Sequence, residues 1–313
     1  MRVVAAAPCR IDFGGGWTDV PPYTTERGGT VCNVALDLRA TVAVRPSPVA
    51  VPPGDALVRA AWERAGAPAV AIALDSPIPL GSGLGGSSSA GVALAAALGA
   101  YTGAPLEGAA LAEWSRRTEV HQLGVPGGCQ DHWAAALGGA LELECGATTV
   151  AHPIALDAVT VAALERRVVV AFTGATRISG ETITGVIDAY VRRDPAVSDA
   201  LDAMAWLAGE MATALRGGDV DALGTLVHEH WAHQRALHPA ITTGTIDAIV
   251  HDAARAGALG TKALGASGGG CVAVIARDDR VDAVREAVAA HATLLEVRIA
   301  LTGATVAVHE DDA

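Results

Sequence analysis

Aromatic residues are scarce in this 313-residue chain, at 4% of the total, so its cores have to be built from Ala, Val, Leu and Ile. Those residues are plentiful: 51% of the chain is hydrophobic, and its length suits two domains or one large one. No apolar run reaches the roughly 18 uninterrupted residues of a membrane span. Residues Met1 to Ala7 read as a short strand, without the basic region, long apolar stretch or cleavage site of a secretory leader, which predicts a cytoplasmic protein. Close cysteine pairs are missing as well. Cys9, Cys32, Cys129, Cys145 and Cys271 form an odd, dispersed set, which argues for reduced thiols and against a disulfide framework or a zinc ribbon. Basic charge is in deficit, and a net charge of −12 argues against nucleic acid or an anionic membrane as partner. A nucleotide site in such a chain needs backbone dipoles, Mg²⁺ and a few selected cations. Lysine is reduced to Lys262 alone, a bias that a G- and C-rich genome also produces.

Glycine and serine, by contrast, are concentrated. Pro79-Leu-Gly-Ser-Gly-Leu-Gly-Gly-Ser-Ser-Ser-Ala90 runs directly into the apolar segment 91–98. A glycine loop feeding a helix presents unpaired N–H groups and the positive end of the helix dipole to one point, which is a phosphate site. The loop lacks the Lys-Ser/Thr ending of a Walker A motif, so it is a different kind of nucleotide loop. Hydrophobic periodicity predicts strands over 3–7, 30–44, 70–74, 168–172, 271–276, 294–301 and 305–309. It predicts helices over 56–66, 87–101, 106–123, 130–137, 183–192, 197–216, 220–237, 246–256 and 281–291. The pattern turns from strand-rich to helix-rich near residue 165.

Several polar residues stand out against this background. Asp131 opens a predicted helix after Pro-Gly-Gly-Cys-Gln, where the dipole keeps a carboxylate ionised; by itself it reads as a general base or as a cap. Arg10 lies in an apolar strand and needs a partner if buried, for which Asp131 and a phosphate are the candidates. Asp19 follows Gly-Gly-Trp-Thr, where a carboxylate can accept from two vicinal hydroxyls or close an Asx turn. Trp17 offers an apolar wall to a sugar face or belongs to the core. His228, His230 and His233 do not form His-Glu-x-x-His, so a helix lining the acceptor pocket is preferred over a zinc site.

Three ordered motifs resemble those of the GHMP kinases (galactokinase, homoserine kinase, mevalonate kinase and phosphomevalonate kinase). Gly83-Leu-Gly-Gly-Ser-Ser88 is similar to the phosphate loop, Ala7-Pro-Cys-Arg-Ile-Asp-Phe-Gly-Gly-Gly-Trp-Thr-Asp19 to the N-terminal substrate motif, and Lys262-Ala-Leu-Gly-Ala-Ser-Gly-Gly-Gly-Cys271 to the C-terminal glycine motif. Gly-Gly-Trp-Thr-Asp-Val-Pro-Pro most resembles the fucokinase branch, and Val125 to Gly139 resembles both that branch and the bacterial heptose 7-phosphate kinases.

The resemblance implies an α/β (α+β) two-domain fold. A ribosomal-protein-S5-like ATP-binding domain is expected over 1–165 and a ferredoxin-like α+β domain over 166–313. It implies ATP and Mg²⁺ as cofactors, and a small-molecule sugar phosphorylated at its anomeric oxygen. Asp131 matches the catalytic base and Arg10 its electrostatic partner. Gly81, Gly83, Leu84, Gly85, Gly86, Ser87 and Ser88, with Gly268 and Gly269, are expected to bind the nucleotide. Asp19, Trp17, Gly16, Thr176 and Arg177 are expected to face the acceptor. Glu119 and Ser87 match the metal ligands, although a shift of one position in the loop brings Ser88 into that role. Two other functions share these features: a sugar- and ATP-sensing protein on a kinase scaffold, and a kinase for a non-sugar alcohol.

Overall fold

The computed structural model describes residues 1–175 and 180–310. Two long strands, β1 (Arg2–Gly14) and β2 (Gly29–Pro46), pair antiparallel and are linked through the short helix α1 (Tyr23–Arg27). Next come α2 (Ala56–Arg64), β3 (Val70–Asp75), α3 (Gly86–Tyr101), α4 (Gly108–Arg116), α5 (Gln130–Leu137), β4 (Ala140–Cys145) and β5 (Val150–Ile154). The remainder comprises α6 (Ala158–Arg167), β6 (Val168–Phe172), α7 (Gly180–Val191), α8 (Pro195–Arg216), α9 (Val220–Ala236) and α10 (Gly244–Ala256). It ends with β7 (Ala258–Ala263), β8 (Cys271–Ala276), α11 (Val281–Ala289), β9 (Thr293–Leu295) and β10 (Thr305–His309). The first sheet runs β10-β1-β2-β4-β5 with β3 also on β2, and the second runs β7-β8-β6-β9.

Small side chains decide how the first domain packs. Helix α3 is buried from Ser88 to Gly99 because Ala, Gly, Val and Leu are its only apolar residues there, and they let neighbours approach on every side. It forms one core with Val3, Ala5, Val31, Val42, Leu141 and Leu143 of the sheet. The opposite face of β1–β2 meets the second half of the chain. Ile11, Phe13, Val34 and Leu36 share a core with Leu207, Met211 and Leu215 of α8, with Leu223 and Val227 of α9, and with Ile275 of β8. Apolar contact therefore runs unbroken between the two sheets and holds them in one orientation.

The expected division at residue 165 falls inside α6, and it misplaces the last strand. β10 pairs with β1 from Arg2↔His309 to Ala6↔Thr305, so residues beyond 304 belong to the first sheet. The chain crosses back through residues that sequence periodicity assigns to a strand over 294–301. Only Thr293–Leu295 form β9, and Ile299 then bridges to Leu36 of the other sheet. The helix predicted over 106–123 also breaks. After α4 the chain winds into a π-helical turn, Arg117–Gln122, where the Thr118 hydroxyl donates to the Trp114 carbonyl. All five cysteines are free and buried. They are less dispersed in space than in sequence, since β4 brings Cys145 Sγ to 3.1 Å from Cys129 Sγ. Among the described residues no helix is long and apolar enough to cross a membrane.

Candidate active site

The glycine loop meets α3 without a side-chain cap. Gly85 takes the N-cap position at φ 78°, ψ 29°, a left-handed conformation that costs glycine nothing. The first helical bond is Ser89 N–H to Gly85 O. The amides of Gly86, Ser87 and Ser88 precede it and donate to no protein acceptor among the described residues. Three free donors at the positive end of a sixteen-residue helix form an anion cradle.

The second glycine segment lies against this loop. A Cβ on Gly83 would stand 2.6 Å from Leu264 O, and one on Gly265 would stand 2.9 Å from Gly83 Cα. Cys271 N–H donates to Ser82 O at 2.7 Å. The glycines that touch the first loop are thus Gly265 and Gly270. Gly268 N–H instead donates to Ile241 O, and Gly269 packs against Ala175 O. Gly81, Leu84 and Gly86 stay within the first loop; Leu84 is buried, and its carbonyl accepts from Arg10 N–H at 3.0 Å.

Arg10 and Asp131 meet beside the loop. The guanidinium, 3% exposed, donates from Nε to Asp131 Oδ1 at 2.8 Å, while Nη2 lies 2.6 Å from the same oxygen. Nη1 donates to Gly83 O at 2.6 Å. Burial works against the charge on Arg10, but Asp131 and Asp12 outweigh it and raise its pKa. A Cβ on Gly85 would come within 3.0 Å of Asp131 Oδ2, so that second oxygen borders the phosphate loop. One buried cation therefore ties the carboxylate to the loop.

Glu119 projects from the π-helical turn toward α3, where Ser88 Oγ donates to its Oε2 at 2.9 Å. Burial raises the Glu119 pKa, and the hydroxyls of Ser87 and Ser88 pull it back in part. Ser87 is exposed and Ser88 buried. His132 Nε2 lies 3.4 Å from Glu119 Oε2. Burial, helped by Arg116, lowers the His132 pKa to about 3, so its ring is neutral near pH 7. A carboxylate and two hydroxyls are hard oxygen donors beside an anion cradle, a set that fits Mg²⁺.

An open cleft of about 170 Å³ adjoins Asp131, bordered by Gly16, Trp17, Asp19, Gln130 and Gly265 among others. Asp19 is 4% exposed, and its Oδ2 accepts from the N–H groups of Cys129 (2.9 Å) and Gln130 (3.1 Å). It thereby caps the helix that carries Asp131. Burial raises its pKa from 3.8 to about 6 against the pull of those two amides. Trp17 holds a positive φ of 83°, and its buried indole N–H has no partner among the described residues. His230, of the α9 histidine group, accepts from Gly15 N–H at 2.9 Å and so braces the turn from behind. Burial keeps it neutral, and no group of metal-ligating side chains exists among the described residues. Thr176 and Arg177 lie outside the described residues.

Sequence reasoning leaves out Asp12 and Gln130 as site residues, and among the glycines of 265–270 it singles out Gly268 and Gly269. Lys262 is singular in composition, and it is here 1% exposed with Nζ 2.7 Å from Asp12 Oδ1. A lone lysine inside an apolar strand needs a carboxylate partner, and that requirement could have flagged Asp12 in advance.

The family model described as GHMP kinases N terminal domain matches residues 55–139, and that described as GHMP kinases C terminal matches residues 211–293. Together they cover more than half of the chain. The bifunctional fucokinase/GDP-fucose pyrophosphorylase of Arabidopsis thaliana is 25% identical over 93% of this chain, which spans only 31% of that protein's length. The D-glycero-alpha-D-manno-heptose 7-phosphate kinase of Campylobacter jejuni is 28% identical over 62% of this chain and 58% of its own. Among solved structures, a D-glycero-D-manno-heptose 1-phosphate kinase from Bacteroides thetaiotaomicron superposes with a TM-score of 0.82. It has 22% identity and covers 99% of this chain and 100% of its own, a likeness of fold.

Proposed function

The chain belongs to the GHMP kinase family, and on that premise we propose that it transfers the γ-phosphoryl group of ATP to the anomeric hydroxyl of a hexose or heptose. The observation that carries this reading is the Arg10–Asp131 pair. It sets an oriented carboxylate between the phosphate loop and a cleft sized for a small molecule. The free amides of Gly86, Ser87 and Ser88 receive the phosphate chain. Glu119, with the hydroxyls of Ser87 and Ser88, would hold Mg²⁺, which supplies charge neutralisation to the phosphates when bound.

Asp131 accepts the proton of the acceptor hydroxyl. The freed oxygen forms its bond to the γ-phosphorus as the β,γ-bridging P–O bond breaks, and ADP departs with that electron pair. Arg10 holds Oδ1 throughout, so Oδ2 takes the proton and the carboxylate cannot rotate away. The carboxylates of Asp19 and Asp131 suit hydroxyl donors, and Trp17 gives the sugar an apolar face. Fucose-like sugars and heptose 7-phosphates are among the acceptor classes that the relatives suggest.

The test is ADP release over a panel of free and phosphorylated sugars, with ³¹P NMR to place the new ester. Sugar-dependent ADP release and an anomeric phosphate support the reading. ATP and sugar binding without turnover would instead support a sensor, and an ester elsewhere on the sugar would move the acceptor position.

A further inference from the structure

Asp12 has one oxygen engaged and one free. Lys262 Nζ donates to its Oδ1 at 2.7 Å and to its main-chain carbonyl at 3.1 Å. Its Oδ2 accepts no hydrogen bond among the described residues, and Asp12 is part of the cleft wall beside Asp131. Position 16 keeps that oxygen accessible: a Cβ on Gly16 would stand 2.2 Å from Asp12 Oδ2 and 3.1 Å from Gln130 Nε2. Gln130 contributes a second unmet group, because its Oε1 is buried without a partner among the described residues. A carboxylate oxygen and an amide N–H₂ thus flank Gly16, and both residues line the cleft. This acceptor–donor pair suits neighbouring hydroxyls, each of which both donates and accepts.

The charge on Asp12 is fixed from two sides. Burial opposes ionisation, but Lys262, Arg10 and, more weakly, His230 outweigh it and hold the carboxyl below its ordinary range. Lys262 comes from β7 of the second sheet and Asp12 from β1 of the first, so the pair crosses between the two sheets. β7 leads directly into the segment whose Gly265 rests on Gly83.

We propose that Asp12 is a further acceptor-binding carboxylate whose Oδ2 takes a hydrogen bond from a ring hydroxyl of the sugar, and that Lys262 is the positioning residue that orients it. The inference rests on the sugar-kinase reading above. It assigns specificity to a residue apart from Asp19 and Asp131, and it gives the chain's single lysine a role in substrate choice.

Steady-state kinetics of Asp12→Asn, and of the double variant Asp12→Asn/Lys262→Met, test it. The double variant removes both buried charges, so it keeps its fold where the single variant would strand a lysine. Loss of a charge-assisted hydrogen bond predicts a KM for the sugar raised roughly tenfold to hundredfold in both variants, with KM for ATP unchanged. In a series of monodeoxy sugars, one analogue should lose affinity with the wild type and lose nothing further with either variant. Wild-type KM for the sugar in the double variant, or a parallel rise in KM for ATP, overturns the proposal and leaves the kinase reading intact. A wild-type protein that phosphorylates no sugar overturns both.

Discussion

Asp19 offers a prediction whose size follows from its surroundings. Its pKa stands at about 6 in the folded protein against an ordinary 3.8, with desolvation as the main cause. The raised value means that the native state binds the proton more tightly than the unfolded chain. Stability is therefore greatest below pH 3.8 as far as this group is concerned, and it declines as pH rises through 6. The difference amounts to about 3 kcal/mol of native-state penalty at pH 8. Asp19→Asn keeps an oxygen that can accept from Cys129 and Gln130 and removes the charge. Relative to wild type, the variant should gain up to about 3 kcal/mol between pH 4 and pH 8. Urea unfolding of the two proteins at both pH values measures this directly, because every other titrating group cancels in the comparison. The same substitution should raise KM for the sugar, since a carboxylate in the cleft is exchanged for an amide. An equal stability difference at pH 4 and pH 8 would refute the reasoning and mean that water reaches Asp19 freely.

Other perturbations probe the loops and the ion site. Gly83→Ala forces a Cβ to within 2.6 Å of Leu264 O at a φ of 72°, so it should cost at least about 1–2 kcal/mol and raise KM for ATP; an unchanged melting temperature would show that the two loops are not in contact. Glu119→Gln should raise the Mg²⁺ concentration for half-maximal activity roughly tenfold to hundredfold, with Ser87→Ala and Ser88→Ala separating the two hydroxyls; superimposable Mg²⁺ titrations would remove this ion site.

Much of the site was legible because its chemistry is local. The loop at 81–90 declares itself by composition, and α3 begins where a helix after a run of glycines must begin. Arg10 was legible as a buried charge in need of a partner, and the partner proved to be Asp131. What could not be read depends on contacts distant in the chain. Asp19 accepts from the two amides that open α5, more than a hundred positions away, and no local pattern encodes that capping. Gly268 and Gly269 are the expected nucleotide-facing glycines, and only long-range packing shows that Gly265 and Gly270 lie against the first loop. β10 looks like a terminal strand of its own domain, and only pairing shows that it returns to β1. Periodicity puts Glu119 near the end of a regular helix, whereas the carboxylate is carried by the π-helical turn Arg117–Gln122.

The central claim is that Asp131, held by Arg10 at the phosphate loop, takes the proton from the acceptor. Asp131→Asn keeps the size of the side chain and removes its basicity. ATP affinity, measured by calorimetry, should stay at the wild-type value, while sugar-dependent ADP release should fall roughly 10²- to 10⁴-fold. ADP release at the wild-type rate from that variant would contradict the account.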